Sequence, residues 1–492
     1  MSAFKTKLSD SSLFRTLYII DLFFCMVSFL QIPAYIFLVF LFCWGLRLVY
    51  LNQKRYNTFF KLRFGIWIGA FLAFSLISVL INFSFTILFS VLMFLHVMIC
   101  FFLFYGMHTE PDLDFKEELF IIGRVIIVCT TLFNLIGFFC LLFGISFNWN
   151  FYDLHWVYFP IYENRFTGLF VNPNLLGFVS VVTIVLCHMF SKNSLRGEVK
   201  ARGFGRVFLY SCMIVNLFAL ILCDSNASFV LALGYAVVYL AYIFFDTREG
   251  LTPSKVFIKI ITLLLVSAVF VGSSMIFRTV FKAGFAAVTA KTNALVDVLF
   301  DEEEIIHDIT DGDSSPEEKK GAVTFDHENT NIDSGRFKLW RESFDLFKIS
   351  PIIGIANGNI VFYSEEYLNG TLKYSYHNND LHNGYLTIIV STGVLGALLF
   401  GTFGFRFAKH AAQHLFLRRK TVRTEIYPCL FAFLGAYLVY ALFEKALLYD
   451  ISFMVMWFWL MMGYTSCYVA KYEHLIETQY LFHQKRIRRT ML

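Results

Sequence analysis

About twelve apolar runs dominate the sequence and limit what the chain can fold into. A helix that crosses roughly 30 Å of hydrocarbon at about 1.5 Å per residue needs about 20 mostly apolar residues. The runs cover residues 14–31, 33–50, 64–82, 84–106, 119–145, 168–190, 207–223, 228–246, 257–277, 384–405, 426–447 and 451–470. They predict an all-α polytopic membrane protein with about twelve transmembrane helices.

The composition agrees with a membrane protein and excludes several other classes. Hydrophobic residues make up 58% of the 492 residues and charged residues only 16%, whereas a soluble domain carries about 25% charged residues. The net charge of +5 is small for this length and does not indicate a nucleic-acid partner. The ten cysteines lie within or beside apolar runs and form no CxxC pair, so they predict neither disulfides nor a zinc site.

The distribution of Lys and Arg predicts the orientation of the chain. These residues collect at the ends of alternate runs, for example at 47–63 and 485–489, and cytoplasmic loops carry such an excess. Both termini are therefore predicted to be cytoplasmic. The predicted organisation is helices one to nine over 1–277, an extracytoplasmic loop over 278–383, helices ten to twelve over 384–470, and a basic cytoplasmic tail over 471–492.

Ionisable residues inside the runs are costly in hydrocarbon and therefore need an explanation. Asp21 and Arg124 are expected to pair across the first and fifth helices, or to snorkel towards the interface. Glu444 and Lys445 lie near the predicted outer end of the eleventh helix.

Three polar segments lie at the predicted outer face, and the first runs from Arg165 to Asn174. Asn172 is a good N-cap and Pro173 suits the first turn, so the sixth membrane helix is predicted to begin here. An arginine beside a helix N-terminus makes a site for a phosphate oxygen. Ordinary capping, with Arg165 reaching lipid headgroups, explains these residues equally well.

The second segment, 334–348, predicts an amphipathic helix at the membrane surface. Its apolar face is formed by Phe337, Trp340, Phe344 and Phe347. Arg336, at the start of this helix, is a candidate anion ligand, whereas Arg341 is expected mainly to anchor the helix to headgroups.

The third segment, 376–386, contains two histidines beside an acid. A histidine can accept a proton near neutral pH, and Asp380 or Asn383 can orient the ring of His377 or His382. The spacing fits no zinc motif such as HExxH, so no metal is expected. The alternative is an interfacial histidine that only caps a helix or forms a local hydrogen bond.

Together the three segments resemble the O-antigen ligase and polymerase family. The shared pattern is Arg-x-x-Gly-x-x-x-Asn-Pro-Asn from 165, Ser-Gly-Arg-x-x-x-Trp from 334 with a downstream Pro-x-x-Gly, and His-Asn-x-x-Leu from 382 followed by Thr-Gly-Val-Leu-Gly. The motifs span about residues 160–405. The resemblance implies a GT-C-like membrane glycosyltransferase with a large extracytoplasmic loop between helices nine and ten.

The resemblance also implies roles for individual residues. His382 matches the family's proposed general base, and Arg165 and Arg336 match arginines thought to bind the pyrophosphate of the donor. Supporting roles are expected for Asn172, Asn174, Arg278, Arg341, His377, Asp380 and Asn383. Asn226 stands where the family often has an arginine, so either Arg278 or Lys282 compensates or the donor is held with one fewer cation.

The implied activity is polymerisation of undecaprenyl-pyrophosphate-linked repeat units of a surface polysaccharide, such as O-antigen or capsule. The reaction is expected to invert the anomeric centre, without metal or cofactor, outside the cytoplasmic membrane of a bacterium. Expected partners are the lipid-linked donor, a saccharide acceptor, membrane lipid, and chain-length regulator and flippase proteins.

Two alternatives to the polymerase remain open. A ligase would use the same donor and transfer the glycan to lipid A core, protein or cell wall. A transporter of lipid-linked oligosaccharide belongs to a different class, and it is disfavoured because the polar motifs cluster at one predicted face and no internal repeat is visible.

Overall fold

The chain is almost entirely helical in a computed structural model, which describes residues 8–83, 86–111, 113–151, 155–192, 204–245, 253–300, 325, 336–368, 381–417 and 425–490. The helices are α1 (Ser11–Phe24), α2 (Gln31–Tyr56), α3 (Thr58–Lys61), α4 (Gly65–Ile81), α5 (Ile87–Ile99), α6 (Phe115–Leu142), α7 (Pro173–Phe190), α8 (Arg206–Leu222), α9 (Asn226–Phe245), α10 (Pro253–Phe300), α11 (Arg336–Ile349), α12 (Ile360–Tyr367), α13 (Gly384–Leu417), α14 (Tyr427–Tyr440) and α15 (Phe453–Thr490).

Short irregular and extended segments complete the fold. A π-helix (Cys100–Phe104) and a 3-10 helix (Tyr105–Thr109) prolong α5, and a 3-10 turn (Asn357–Asn359) precedes α12. Strands β1 (Phe147–Phe151) and β2 (His155–Phe159) form one antiparallel hairpin. Strands β3 (Ile161–Tyr162) and β4 (Arg165–Phe166) form a second, smaller one.

Each predicted apolar run overlaps one of these helices, although the runs at 14–31 and 426–447 extend past the ends of α1 and α14. Within the described residues, eight helices are long and apolar enough to cross a membrane, and these are α2, α5 with its continuation, α6, α7, α9, α10, α13 and α15. Helices α4, α8 and α14 are shorter and apolar. The chain is therefore an all-α polytopic membrane protein, and the full count of twelve spans stays a prediction.

Helix α10 extends further than the sequence suggests. The predicted ninth run ends at residue 277, but α10 continues to Phe300. In the additional turns, Arg278 and Lys282 both form ion pairs with Asp224. These contacts hold the helix to the bundle where its run of uncharged residues ends. The segment assigned to the extracytoplasmic loop thus begins as a continuation of a membrane helix.

The helices that carry the polar motifs meet at one end of the bundle. Helices α7 and α9 are parallel, because Gly177 packs against Ser228 near their starts and His188 lies 2.6 Å from the Tyr235 hydroxyl further along. Helix α14 runs the other way, since the ring of Tyr440 near its end stacks on Phe178 near the start of α7. The His382 end of the bundle is therefore formed by the starts of α7 and α9 and the end of α14.

Helix α13 also starts at the His382 end. The backbone N–H of Gly384 donates to the Ala441 carbonyl at 2.8 Å, just past the end of α14. Leu447 packs directly on Gly384, where an added Cβ would lie 3.0 Å from the Leu447 Cγ. The start of α13 is thus fixed beside the turn that links α14 to α15.

The opposite end, called the Arg15 end, is tied by a buried charge network. Arg15 is fully buried and forms ion pairs with Glu110 at 2.7 Å and with Glu118 at 2.9 Å. The Tyr464 hydroxyl donates to Glu118 as well. Buried charges require such paired partners. The network joins α1, α6 and α15.

The predicted pairing of Asp21 with Arg124 is not formed. Arg124 is exposed, and its guanidinium lies over the ring of Phe204 at 6.0 Å. In α1 the buried ion pairs are formed by Arg15, six residues before Asp21. The acidic partners of Arg15 come from the loop after α5 and the start of α6, which sequence spacing does not connect to α1.

Helix α13 is broken at Gly393, which has φ 64° and ψ −172°. A break frees backbone groups that must be satisfied inside a membrane protein. The segment 351–359 supplies the partners. The N–H groups of Ile355 and Ala356 donate to the carbonyls of Val390 and Ser391, at 3.0 and 3.1 Å, and the N–H of Val394 donates to the Pro351 carbonyl at 2.8 Å.

Glycine is required on both sides of this contact. A Cβ on Gly393 would lie 2.3 Å from the Ile352 carbonyl carbon, and one on Gly354 would lie 2.4 Å from the Ser391 carbonyl carbon. These glycines belong to the Thr-Gly and Pro-x-x-Gly motifs, whose spacing is thereby explained. The motifs fasten the segment that follows α11 against α13.

We expect Gly393→Ala to lower the apparent melting temperature in detergent. The backbone conformation alone costs an alanine about 1–3 kcal/mol, and the contact with Ile352 adds to that cost. Gly401→Ala is the matched control, because no atom lies within 4 Å of a Cβ built on Gly401 in the same helix. Equal melting temperatures for the two variants would contradict this account of the break.

Candidate functional site

Two polar clusters lie at the His382 end. The Arg165 cluster contains Arg165, Asn174, Asp224, Asn226, Arg278 and Lys282. The His382 cluster contains His382, Arg336 and Glu444. Both are assembled from helix ends and short loops that are distant in sequence.

Asn172 caps α7 as predicted, and its side-chain oxygen accepts the Leu175 N–H at 2.9 Å. Arg165 lies on β4, close to this helix start. Its Nη2 donates to the Asn174 side chain at 2.8 Å and its Nε donates to the Cys223 carbonyl at 2.9 Å. Arg165 therefore links the start of α7 to the loop between α8 and α9.

Arg165 is only 4% exposed. Burial lowers the pKa of its guanidinium, while the nearby negative charge of Asp224 acts in the opposite direction. Arginine stays protonated in proteins despite such a shift. The site thus holds a largely desolvated positive charge, and such a charge interacts more strongly with an anion than one in water.

Asp224 organises the other cations of the Arg165 cluster. It has a φ of 49°, a left-handed conformation that Asp adopts more readily than most residues. Its carboxylate accepts from the Arg278 Nη2 and lies 2.9 Å from the Lys282 ammonium. Arg165 lies near this group, close enough for the charge of Asp224 to act on its guanidinium.

Of the two residues expected to compensate for Asn226, Arg278 reaches it. The Arg278 Nη1 donates to the Asn226 side-chain oxygen at 3.0 Å. The guanidinium also lies over the ring of Phe229 at 4.7 Å. An arginine is therefore present beside this position, although it comes from α10 and not from the loop itself.

The His382 cluster forms at the start of α13. Asn383 caps this helix, and its side-chain oxygen accepts the N–H groups of Tyr385 and Leu386, both at 3.0 Å. The side-chain oxygen of Asn383 is therefore used for capping. His382 itself has a φ of 44°, and its side chain is 36% exposed.

Glu444 is the residue that sequence reasoning did not connect to the site. Its Oε1 accepts a hydrogen bond from the Arg336 Nη2 at 3.0 Å, and its Oε2 lies 3.5 Å from the His382 Nδ1. The second distance is longer than a good hydrogen bond but short for a charge interaction. The sequence signal was limited to a charged residue near the end of a predicted membrane helix.

Helix α11 forms as predicted, and its aliphatic side chains pack on the protein. Leu339 and Leu346 contact the apolar cluster around Leu381. Phe337 and Phe344 are 65% and 56% exposed. The branched aliphatic side chains fit between α12 and α13, so two of the four aromatic residues face outwards, where they can meet lipid.

The remaining predicted site residues are not among the residues placed in the two clusters. Arg341 is exposed on α11 and is not placed in either cluster. His377 and Asp380 lie outside the described residues, as does the acidic stretch 301–324.

Part of the chain is similar to a known protein family. Residues 211–401 match the family model described as O-Antigen ligase. This segment, about two fifths of the chain, is similar to the O-antigen ligase family. Within the matched segment lie Arg278, Arg336 and His382, whereas Arg165 and Glu444 lie outside it. No curated protein matches the chain.

The match to the O-antigen ligase family indicates a membrane enzyme of the ligase or polymerase type. The family match extends from within α8 to within α13. It therefore includes the broken helix and both glycine motifs as well as the two arginines and the histidine. The structure adds β4, the start of α7 and the turn after α14 to the surroundings of these residues.

Asp224→Asn is expected to lower the apparent melting temperature, because Arg278 and Lys282 lose their shared carboxylate. Inorganic pyrophosphate should then stabilise the variant more than the wild type, since the cluster has gained one unit of net positive charge. Asp345→Asn is the control, because Asp345 forms a solvent-exposed pair with Lys348 on α11. No added stabilisation of Asp224→Asn by pyrophosphate would argue against an anion site here.

Proposed function

We propose that this protein is a glycosyltransferase that moves a saccharide from undecaprenyl pyrophosphate to an acceptor hydroxyl at the His382 end. One observation carries the proposal. Motifs that begin at residues 165, 334 and 382 converge at one end of the bundle, and each contributes an arginine or a histidine there. Because α9 and α14 pack antiparallel, the start of α9 and the end of α14 lie at the same end of the bundle, and so do the two clusters beside them.

The proposed reaction is a single displacement. The acceptor oxygen attacks the anomeric carbon of the donor saccharide, and its proton passes to His382. The bond between the anomeric carbon and the pyrophosphate oxygen breaks, and the electron pair leaves with undecaprenyl pyrophosphate. Attack opposite the leaving group inverts the anomeric centre.

The arginines can neutralise the negative charge of the leaving group. Negative charge grows on the pyrophosphate as the bond breaks, and guanidinium groups bind phosphate oxygens with two parallel hydrogen bonds. Arg165 and Arg336 are the proposed ligands, with Arg278 in the place expected of the family arginine. Fixed cations in a partly buried site stabilise such charge more effectively than water does.

We assign the His382 end to the outside of the cytoplasmic membrane. The loops rich in Lys and Arg support this assignment, because Arg47 and Arg55 bind carbonyls at the start of α1 at the Arg15 end. Positively charged loops favour the cytoplasm. With this orientation both termini would be cytoplasmic, and donor delivery would require a flippase.

We favour a polymerase over a ligase for this site. Incubating the purified protein with undecaprenyl-pyrophosphate oligosaccharide alone separates the two activities. A ladder of longer lipid-linked products identifies a polymerase. Product that forms only after lipid A core, protein or cell-wall glycan is added identifies a ligase, and unchanged donor in every mixture would contradict a transferase.

His382→Ala should reduce product formation by roughly 10²- to 10⁴-fold, the usual contribution of a general base. The His410→Ala variant removes a histidine at the Arg15 end, where His410 contacts Arg63, and should retain activity. Rates from radiolabelled donor, with monodispersity in detergent as the folding check, provide the measurement. Wild-type rates in a folded His382→Ala variant would overturn the assignment of the base.

A further inference from the structure

One carboxylate touches two groups that the proposed reaction uses for different purposes. Glu444 accepts a hydrogen bond from Arg336 through Oε1 and lies against the ring nitrogen of His382 through Oε2. Arg336 is a proposed pyrophosphate ligand and His382 is the proposed base. Any change in the contact on one side of Glu444 therefore affects the other side.

The backbone around Glu444 is fixed. The Ala446 N–H donates to the Glu444 carbonyl at 2.8 Å, and the Ala441 carbonyl is tied to Gly384 at the start of α13. The ring of Phe443 lies 6.0 Å from the Arg336 guanidinium. The carboxylate is only 10% exposed. Glu444 can therefore exchange partners by small rotations of its side chain but cannot withdraw from the site.

A more highly charged anion can displace Glu444 from Arg336. Its side chain is 18% exposed, so a ligand can approach it, and its contact with Glu444 uses Nη2. A pyrophosphate carries several charged oxygens that match the two-point geometry of a guanidinium. The donor therefore competes with Glu444 for Arg336.

Displacement from Arg336 changes what Glu444 does to His382. A carboxylate beside Nδ1 favours the tautomer that has its proton there, and this leaves Nε2 able to accept the acceptor's proton. It also stabilises the imidazolium that forms once the proton has moved. While Arg336 is bound, its positive charge offsets much of this effect.

We propose that Glu444 is a positioning residue that donor pyrophosphate transfers from Arg336 to His382, so that the base becomes effective only when the donor is bound. This inference rests on the proposed function of the site. It predicts that acceptor hydroxyls or water are not activated in the absence of donor. Glu444 itself need not touch the reacting atoms.

Glu444→Gln tests the proposal, because glutamine keeps the size of the side chain and removes its charge. We expect kcat to fall by at least about 10-fold, and by no more than the roughly 10²- to 10⁴-fold that a general base supplies. The KM for the donor should stay constant or fall, since Arg336 is no longer held by a carboxylate. Glu444→Asp should recover part of kcat.

A binding measurement tests the contact between Glu444 and Arg336 separately from the contact with His382, and it needs no catalysis. Undecaprenyl pyrophosphate, added to protein in detergent, should stabilise Glu444→Gln at a concentration several-fold lower than that needed for the wild type. Arg336→Lys should show the opposite change and a raised KM. Glu425→Gln is the matched control, because Glu425 pairs with Lys116 at 3.4 Å, far from the His382 end.

Two results would overturn the proposal. One is a Glu444→Gln variant whose kcat and KM both equal those of the wild type. The other is a Glu444→Gln variant with wild-type kcat and a KM that rises as in Arg336→Lys. The second result would mean that Glu444 only holds Arg336 in place. If Glu444→Gln does not fold, Glu444→Asp and its response to undecaprenyl pyrophosphate decide the same question.

Failure of this inference can be distinguished from failure of the proposed function. A wild-type protein that forms no product with any acceptor contradicts the transferase itself. An active wild type together with an unaffected Glu444→Gln variant contradicts only the exchange of Glu444. Stabilisation by undecaprenyl pyrophosphate can be measured in both cases, because it requires binding of this ligand and no turnover.

Discussion

The requirement that every backbone polar group inside the hydrocarbon be bonded within the protein governs this structure. It makes helices the default and restricts any break to places where other backbone can supply the missing partners. At Gly393 the segment 351–359 does so with three hydrogen bonds. The same contact anchors the chain between α11 and α13, which carry Arg336 and His382 at or beside their starts.

The cost of charge in hydrocarbon explains why polar groups collect at the two ends of the bundle. At the Arg15 end one buried arginine is held between two carboxylates. In the Arg165 cluster, Arg278 and Lys282 pair with Asp224, and Arg165 lies near enough to feel the Asp224 charge. A group of partly buried cations favours the binding of an anion, which is the role proposed for this cluster.

Much of the fold could be predicted because the bilayer imposes a length and a polarity on each helix. The cap at Asn172 and the helix at 336–349 were also readable, since both depend on residues near in sequence. The sequence did not show which residues of α11 pack on the protein, because Leu339 and Leu346 contact side chains that are distant in sequence. The sequence did not show that α10 continues past its apolar run, where Arg278 and Lys282 pair with Asp224 on another loop.

The sequence by itself determined that this chain lies in a membrane, which residues carry its polar motifs, and which family it resembles. Those properties follow from local composition and short spacings. Only the tertiary structure decided that Arg278 reaches Asn226 and that Glu444 joins Arg336 to His382. Such contacts join residues separated by tens to hundreds of positions, and no period in the sequence encodes which helix ends will meet.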